Sequence, residues 1–121
     1  MEVYIAGKMR GIKYYNFPLF DSTRDDLIKG GFKVISPADM DREAGFDAML
    51  LPEDSDWNAI PDHFDFSKCV ERDIEAVKKA DAVYMLQGWE QSTGARAEHA
   101  WAEWLGKKII YHETNDETIV E

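Results

Sequence analysis

Short apolar runs alternate with helical periodicities along most of the chain. Residues 3–6, Val-Tyr-Ile-Ala, form an apolar run that stops at Gly7 and predicts a first strand. Over residues 16–30, Phe17, Phe20, Leu27 and Ile28 recur at roughly helical spacing, and Gly30-Gly31 is a strong stop. Residues 32–35 predict a second strand, closed by Ser36-Pro37. Residues 67–79 predict a helix with Val70, Ile74 and Val77 on one face and Lys78-Lys79 at its C-terminal end. A third strand is expected at 82–86, a helix at 93–105 with Trp101, Trp104 and Leu105 on its apolar side, and a fourth strand at 108–111 after Gly106. The polar tail after Glu113 is expected to fray or to add a fifth, edge strand.

Residues 38–67 break the pattern. They show no clean period and carry nine acids (Asp39, Asp41, Glu43, Asp47, Glu53, Asp54, Asp56, Asp62, Asp65) with Phe46, Trp57 and Phe64 among them. A segment of this length without its own pattern inside a compact domain points to a functional lid or an interface rather than a linker. Strands alternating with helices imply an α/β domain with a parallel sheet covered on both faces. Right-handed crossovers give a doubly wound, flavodoxin-like sheet of order 2-1-3-4 with a topological switch between strands one and three. The expectation is one domain over residues 1–121 with an acidic insert at about 38–67.

Composition narrows the function classes. A length of 121 residues is enough for one hydrophobic core. The net charge of −10 argues against binding a nucleic acid polymer or an anionic membrane, while leaving room for a small anionic ligand held by a few local cations. The single Cys69 allows no internal disulfide, and no Cys/His cluster has zinc-site spacing, so neither metal nor cofactor is expected. His63 and His112 are lone histidines without an evident triad partner. The opening Met-Glu-Val-Tyr-Ile reads as a strand rather than a signal peptide, and no apolar run is long enough to span a bilayer. A cytoplasmic protein is the expectation.

The predicted topology brings two polar turns to one crevice at the carboxyl ends of the strands. The first, Gly7-Lys8-Met9-Arg10-Gly11, joins two glycines to a point charge and a planar fork suited to phosphate or carboxylate; it reads equally as a solvated surface turn. The second runs from Gly88 to Gly94. Ser92 and Thr93 are good helix caps, and Glu98 falls near the start of the helix, where the dipole is expected to favour an ionised carboxylate able to act as a nucleophile. Asp73 reads as an ordinary helix acid or as a site acid. Asp81 is placed to cap the turn before the third strand. Trp89 is placed either to stack on a base or to pack under the acidic segment. His99 and Glu103 read as solvent-facing or helix-edge positions, and Cys69 as a buried small hydrophobe.

Three segments together resemble the nucleoside 2'-deoxyribosyltransferase superfamily, which includes the 2'-deoxynucleoside 5'-phosphate N-hydrolases, and the chain is nearest a branch common in phages and bacteria. The similarity runs from Tyr4 to about Ile110 and is weakest over 38–67. It is carried by Tyr4-Ile5-Ala6-Gly7-Lys8-Met9-Arg10-Gly11, by the helix-then-strand segment from Asp73 to Val83, and by Ser92-Thr93-Gly94-Ala95-Arg96-Ala97-Glu98. The resemblance implies Glu98 as nucleophile, Asp73 as the acid that protonates the leaving base, and Tyr4 as the residue orienting Glu98. It implies Gly7, Lys8, Arg10, the Gly11 backbone, Ser92, Gly94 and Trp89 as substrate-binding positions. Ser92, two residues before Gly94, and the pair Arg10-Gly11 are similar to the nucleotide-hydrolase branch, where they serve a 5'-phosphate. Lys8 and the bulky Arg96 depart from the family pattern. The implied activity is hydrolysis of a (deoxy)nucleoside 5'-monophosphate. The alternatives are base exchange between nucleosides and a non-catalytic nucleotide-binding module, the latter motivated by Arg96 crowding Glu98. The implied partner is a small nucleotide or nucleoside, and the implied assembly a homodimer or higher oligomer.

Overall fold

A computed structural model of the chain describes residues 1–61 and 64–112. Asp62, His63 and the tail expected to fray or to form a fifth strand lie outside the described residues. Four strands, β1 (Glu2–Ala6), β2 (Lys33–Ile35), β3 (Ala82–Met85) and β4 (Lys108–Tyr111), pair in parallel in the order β2-β1-β3-β4. Tyr4 stands between Ile35 and Val83, and Val83 pairs onward with Ile109. The switch point therefore lies between β1 and β3, as the alternation of strands and helices requires.

Val3 to Ala6 are fully buried because helices cover both faces of the sheet. Alternate side chains divide between two cores. Tyr4, Ala6, Val83 and Met85 pack with Ala76, Val77, Ala95 and Ala102, from α3 (Phe66–Lys79) and α4 (Thr93–Trp104). Ile5 and Leu86 pack on the other side with Phe17 and Phe20 of α1 (Phe17–Lys29) and with Ala38 and Ala48. Asp65 caps α3 by accepting from the Lys68 N–H, and Asp81 ties the edge of β1 by accepting from the Glu2 N–H at 2.8 Å.

Three expectations are corrected. Residues 38–43, read as the start of a patternless stretch, lie in a helix, α2 (Pro37–Glu43). Pro37 does not merely end β2: proline's fixed φ suits the first helical turn, and Asp39 and Arg42 complement the two ends of the helix dipole. Second, α4 buries only part of its expected apolar side: Trp101 packs half-buried against the core, but Trp104 and Leu105 turn outward. Its inner face is Ala95, Glu98 and Ala102, while Trp104 is 89% exposed and Leu105 47%. The alanines allow α4 to lie close on the sheet, and that closeness puts a carboxylate where a core side chain would be. Third, Ile28 and Val70, expected on buried faces, are 53% and 38% exposed.

Candidate active site

The first turn leaves β1 at Gly7, where a Cβ would come within 2.7 Å of Leu86 Cδ1, so only glycine lets the loop cross the end of β3. Lys8 and Arg10 follow on the rim of a cavity of about 700 Å³. Neither has an ion-pair partner among the described residues, although the Arg10 guanidinium lies 5.9 Å above the Phe66 ring. Across the opening is the start of α4. Ser92 Oγ accepts from the Ala95 N–H at 3.1 Å, which leaves its hydroxyl proton to donate. The first N–H groups of α4 have no intrahelical partner, so this end of the cavity suits an anion. Ser92, Thr93 and Gly94 all line it.

At the floor, the Tyr4 hydroxyl donates to Glu98 Oε2 at 2.6 Å. Tyr4 is completely buried and Glu98 is 7% exposed. Asp73, from the cavity-facing side of α3, lies close enough to act electrostatically on both. Burial, and then the neighbouring Asp73, push the Glu98 carboxyl well above the ordinary glutamate range. Burial also raises Asp73, against the lowering pull of Arg72 and of the neighbouring Glu98 and Tyr4. Two buried carboxyls this close resist being ionised together, and burial favours the neutral form of Glu98. That direction runs against the ionised Glu98 expected from the helix dipole. The residue is the sixth of α4, past the first turn where the dipole acts, and desolvation outweighs it.

Arg72 spans two carboxylates, Asp41 of α2 at 2.8 Å and Asp73 at 3.1 Å. Asp41 is 5% exposed, and burial raises its carboxyl against the lowering pull of Arg72. Cys69, one turn before Asp73, also lines the cavity; burial pushes its thiol up to about 11, which keeps it neutral at physiological pH. The remaining wall is largely apolar, with Met9, Phe46, Ile60 and Phe64 from the first turn and the acidic insert.

The structure brings together Tyr4, Gly7, Lys8, Arg10, Asp73, Ser92, Gly94 and Glu98 around this cavity. It does not bring Gly11 or Trp89. The Gly11 N–H donates to the Trp57 carbonyl at 2.7 Å, so it secures the insert and is not free for a phosphate; its φ of +88° explains the glycine. Trp89 neither faces the cavity nor packs under the insert. It stacks on His99 at 4.3 Å, and His99 in turn hydrogen-bonds the Tyr111 hydroxyl at 2.7 Å, so His99 is not solvent-facing. Arg96 is exposed and turns to Thr93 Oγ1 and the Glu90 carbonyl, so it does not crowd Glu98.

Sequence reasoning missed Asp41, Arg72 and the turn at 13–16. In that turn Tyr14, Tyr15 and Asn16 are consecutive left-handed residues with φ of 54°, 49° and 63°. Each such residue costs about 1–2 kcal/mol. The turn is held on both sides: Asn16 Nδ2 donates to the Lys8 carbonyl at 2.8 Å, and the Tyr15 hydroxyl donates to the Ala59 carbonyl at 2.6 Å. It thus fastens the cationic loop to the insert. Asn16 was the available signal, since asparagine tolerates this conformation; the tyrosines gave none.

Residues 1–111 match the family model described as a domain of unknown function, DUF4406. The chain belongs to this family. No curated protein matches it. Among the solved structures similar to this DUF4406 chain, two are enzymes by name. One is the Clostridium botulinum CMP N-glycosidase BcmB, with 18% identity and a TM-score of 0.54, covering 92% of this chain and 70% of that one. The other is a 2-deoxyribosyltransferase from Bacillus psychrosaccharolyticus, with 19% identity and a TM-score of 0.61, covering 97% and 79%. The deoxyribosyltransferase-like fold expected of the sequence is therefore the fold of this DUF4406 domain. No helix among its described residues is long and apolar enough to cross a membrane, and no cluster of three metal-ligating side chains occurs among them.

Proposed function

We propose that this protein is an enzyme that hydrolyses the N-glycosidic bond of a (deoxy)nucleoside 5'-monophosphate. The observation that carries the reading is the Tyr4–Glu98–Asp73 contact, buried at the floor of a cavity whose rim carries Lys8, Arg10 and the start of α4. The rim supplies two cations, a hydroxyl and helix N–H groups for a phosphate. The apolar wall gives a base surfaces to pack against. The two similar structures, one a CMP N-glycosidase and one a 2-deoxyribosyltransferase by name, support a reading of glycosyl chemistry on this fold.

In this reading the chemistry runs on a single proton shared by Glu98 and Asp73. Its transfer from Glu98 to Asp73 makes a carboxylate nucleophile and a neutral acid in one step. The Glu98 oxygen then forms a bond to the anomeric carbon while the bond to the base nitrogen breaks, and the base takes the Asp73 proton. Tyr4 keeps the attacking carboxylate in place. In the second half, Asp73 accepts a proton from water as the water oxygen bonds to the anomeric carbon and the Glu98 carboxylate leaves. The products are free base and sugar 5-phosphate.

Chromatography of ribo- and deoxynucleoside monophosphates, including modified pyrimidines, incubated with wild type and Glu98→Ala tests the reading. Base release by wild type alone is expected. No release from any of them sinks the hydrolase. Base exchange that appears only on adding a second free base would make the protein a transferase.

A further inference from the structure

Asp41 and Arg72 take no part in the two displacement steps, yet they are among the most tightly held polar groups of the cavity. Asp41 comes from α2, Arg72 and Asp73 from α3, Glu98 from α4 and Tyr4 from β1, so four elements converge on one polar cluster. Arg72 Nη1 donates to Asp41 Oδ1 at 2.8 Å and Arg72 Nε donates to Asp73 Oδ1 at 3.1 Å, with Nη2 also 3.1 Å from that oxygen, and Asp73 in turn acts electrostatically on Glu98 and Tyr4. A guanidinium is planar and always charged, so a fork bonded at both ends cannot turn without breaking a charge-assisted bond.

We propose that Asp41 and Arg72 are positioning residues for the reaction: Asp41 anchors the Arg72 guanidinium, and the guanidinium fixes the Asp73 carboxyl against Glu98. The proposal rests on the glycosidase reading for its effect on turnover, but the clamp itself does not.

The consequence concerns the mobile proton. Two carboxyls in contact would divide one proton evenly were their surroundings alike. The Arg72 cation lies against Asp73, and so it biases the proton toward Glu98. The other ionisable groups of this cluster are Tyr4 on β1 and Cys69 on α3. Burial holds the Tyr4 hydroxyl and the Cys69 thiol neutral, and Arg42 acts on Asp41 only from farther off. Arg72 is therefore the one cation bonded to the pair among the described residues. An enzyme built this way keeps its nucleophile protonated until a bound substrate draws the proton to Asp73.

The test uses the full-length protein with 13C-labelled carboxyls in Asp and Glu. Two variants are compared with wild type: Asp41→Asn, which keeps the shape and removes the anchor, and Arg72→Lys, which keeps the charge and removes the fork. Carboxyl titration by NMR reads the clamp without any substrate. In wild type the Glu98 resonance is expected to stay protonated through a range in which Asp73 is ionised. In each variant both resonances should move toward intermediate positions, because Asp73 is no longer held. The kcat for the nucleotide should fall about 10–100-fold, the worth of one charge-assisted bond, with KM changed by less than about threefold. The pH profile of kcat should move with the NMR titration. Wild-type titration in both folded variants overturns the clamp, and so does a shifted titration with unchanged kcat and pH profile in an active enzyme. Should Asp41→Asn not fold, Arg72→Lys decides alone. An inactive wild type that nevertheless shows the expected titrations defeats the glycosidase reading and leaves the clamp standing.

Discussion

The Tyr4 hydroxyl donates to Oε2 of Glu98 at 2.6 Å, joining the first strand to the last helix across 94 positions of sequence. Tyr4 is fully buried, and burial together with Glu98 raises its phenol well above 10.0, so it acts as a donor at any working pH. Tyr4→Phe removes that donor alone. The variant is expected to fold and to lose about 10–100-fold in kcat, the worth of a hydrogen bond to a charged group. Glu98→Gln keeps the volume and removes the proposed nucleophile, and should lower kcat by at least about 10³-fold. Steady-state kinetics beside a thermal melt separate the two effects from misfolding; a Tyr4→Phe enzyme as fast as wild type would remove the tyrosine from the mechanism.

The shared proton predicts how rate and stability depend on pH. The proposed mechanism needs one proton on the Glu98–Asp73 pair, so kcat should fall at low pH, where both are protonated, and at high pH, where neither is. The descending limb should lie above the ordinary glutamate value of 4.5, because Glu98 is raised. For stability the sign is the same for both raised carboxyls. A group whose native pKa exceeds its unfolded value contributes fully below the unfolded value and loses that contribution as pH rises through the native one. The fold should therefore weaken as pH climbs above about 4.5. Urea unfolding at a series of pH values should show this slope in wild type and a shallower one in Glu98→Gln.

On the proposed reading, Lys8 and Arg10 are the groups that distinguish a nucleotide from a nucleoside. Replacing either by alanine should lower kcat/KM for a monophosphate by about 10–100-fold and leave any nucleoside activity within about threefold. Competition by inorganic phosphate should weaken in parallel. Equal losses on both substrates would mean that the cations serve the fold or the sugar.

Gly7 and Gly94 are predicted to differ. A Cβ at position 7 meets Leu86 Cδ1 at 2.7 Å and Leu86 Cβ at 2.9 Å, so Gly7→Ala overpacks the end of β3 and should destabilise by about 1–3 kcal/mol. At position 94 the nearest atom, Ser92 Oγ, lies 4.0 Å away, and Gly94→Ala should be neutral or stabilising by up to about 1 kcal/mol. Chemical denaturation measures both.

Trp89 carries the sharpest test of the corrected site. Trp89→Leu gives up the stack on His99 and should lower the melting temperature, while KM for the nucleotide stays unchanged. A raised KM with unchanged stability would return Trp89 to the substrate cavity.

Most of the frame was readable because it depends on periodicity. The apolar runs at β1 and β3 and the glycine stops set the strand order, and the two polar turns followed from it. Tyr4, Asp73 and Glu98 were legible through family resemblance, because the three meet only in the folded chain. What stayed hidden depends on distance in space. Asp41 was one acid among nine in a segment without period, and Arg72 looked like any helix cation until α2 came to rest beside α3. Glu98 was read as ionised because a helix start is visible in sequence, whereas the alanine-lined contact that buries it is not. Trp104 and Leu105 misled for a similar reason: their size suggested an inner face that Ala95 and Ala102 occupy.

The left-handed turn at Tyr14, Tyr15 and Asn16 bears on how this domain can be re-engineered. Its Asn16 end holds the cationic loop and its Tyr15 end holds the insert, so the rim and the wall of the cavity share a single backbone fixture. A graft that exchanges the insert for that of a relative must carry residues 14–16 with it. Otherwise the borrowed wall arrives without its fastening, and the cationic loop loses its own support as well.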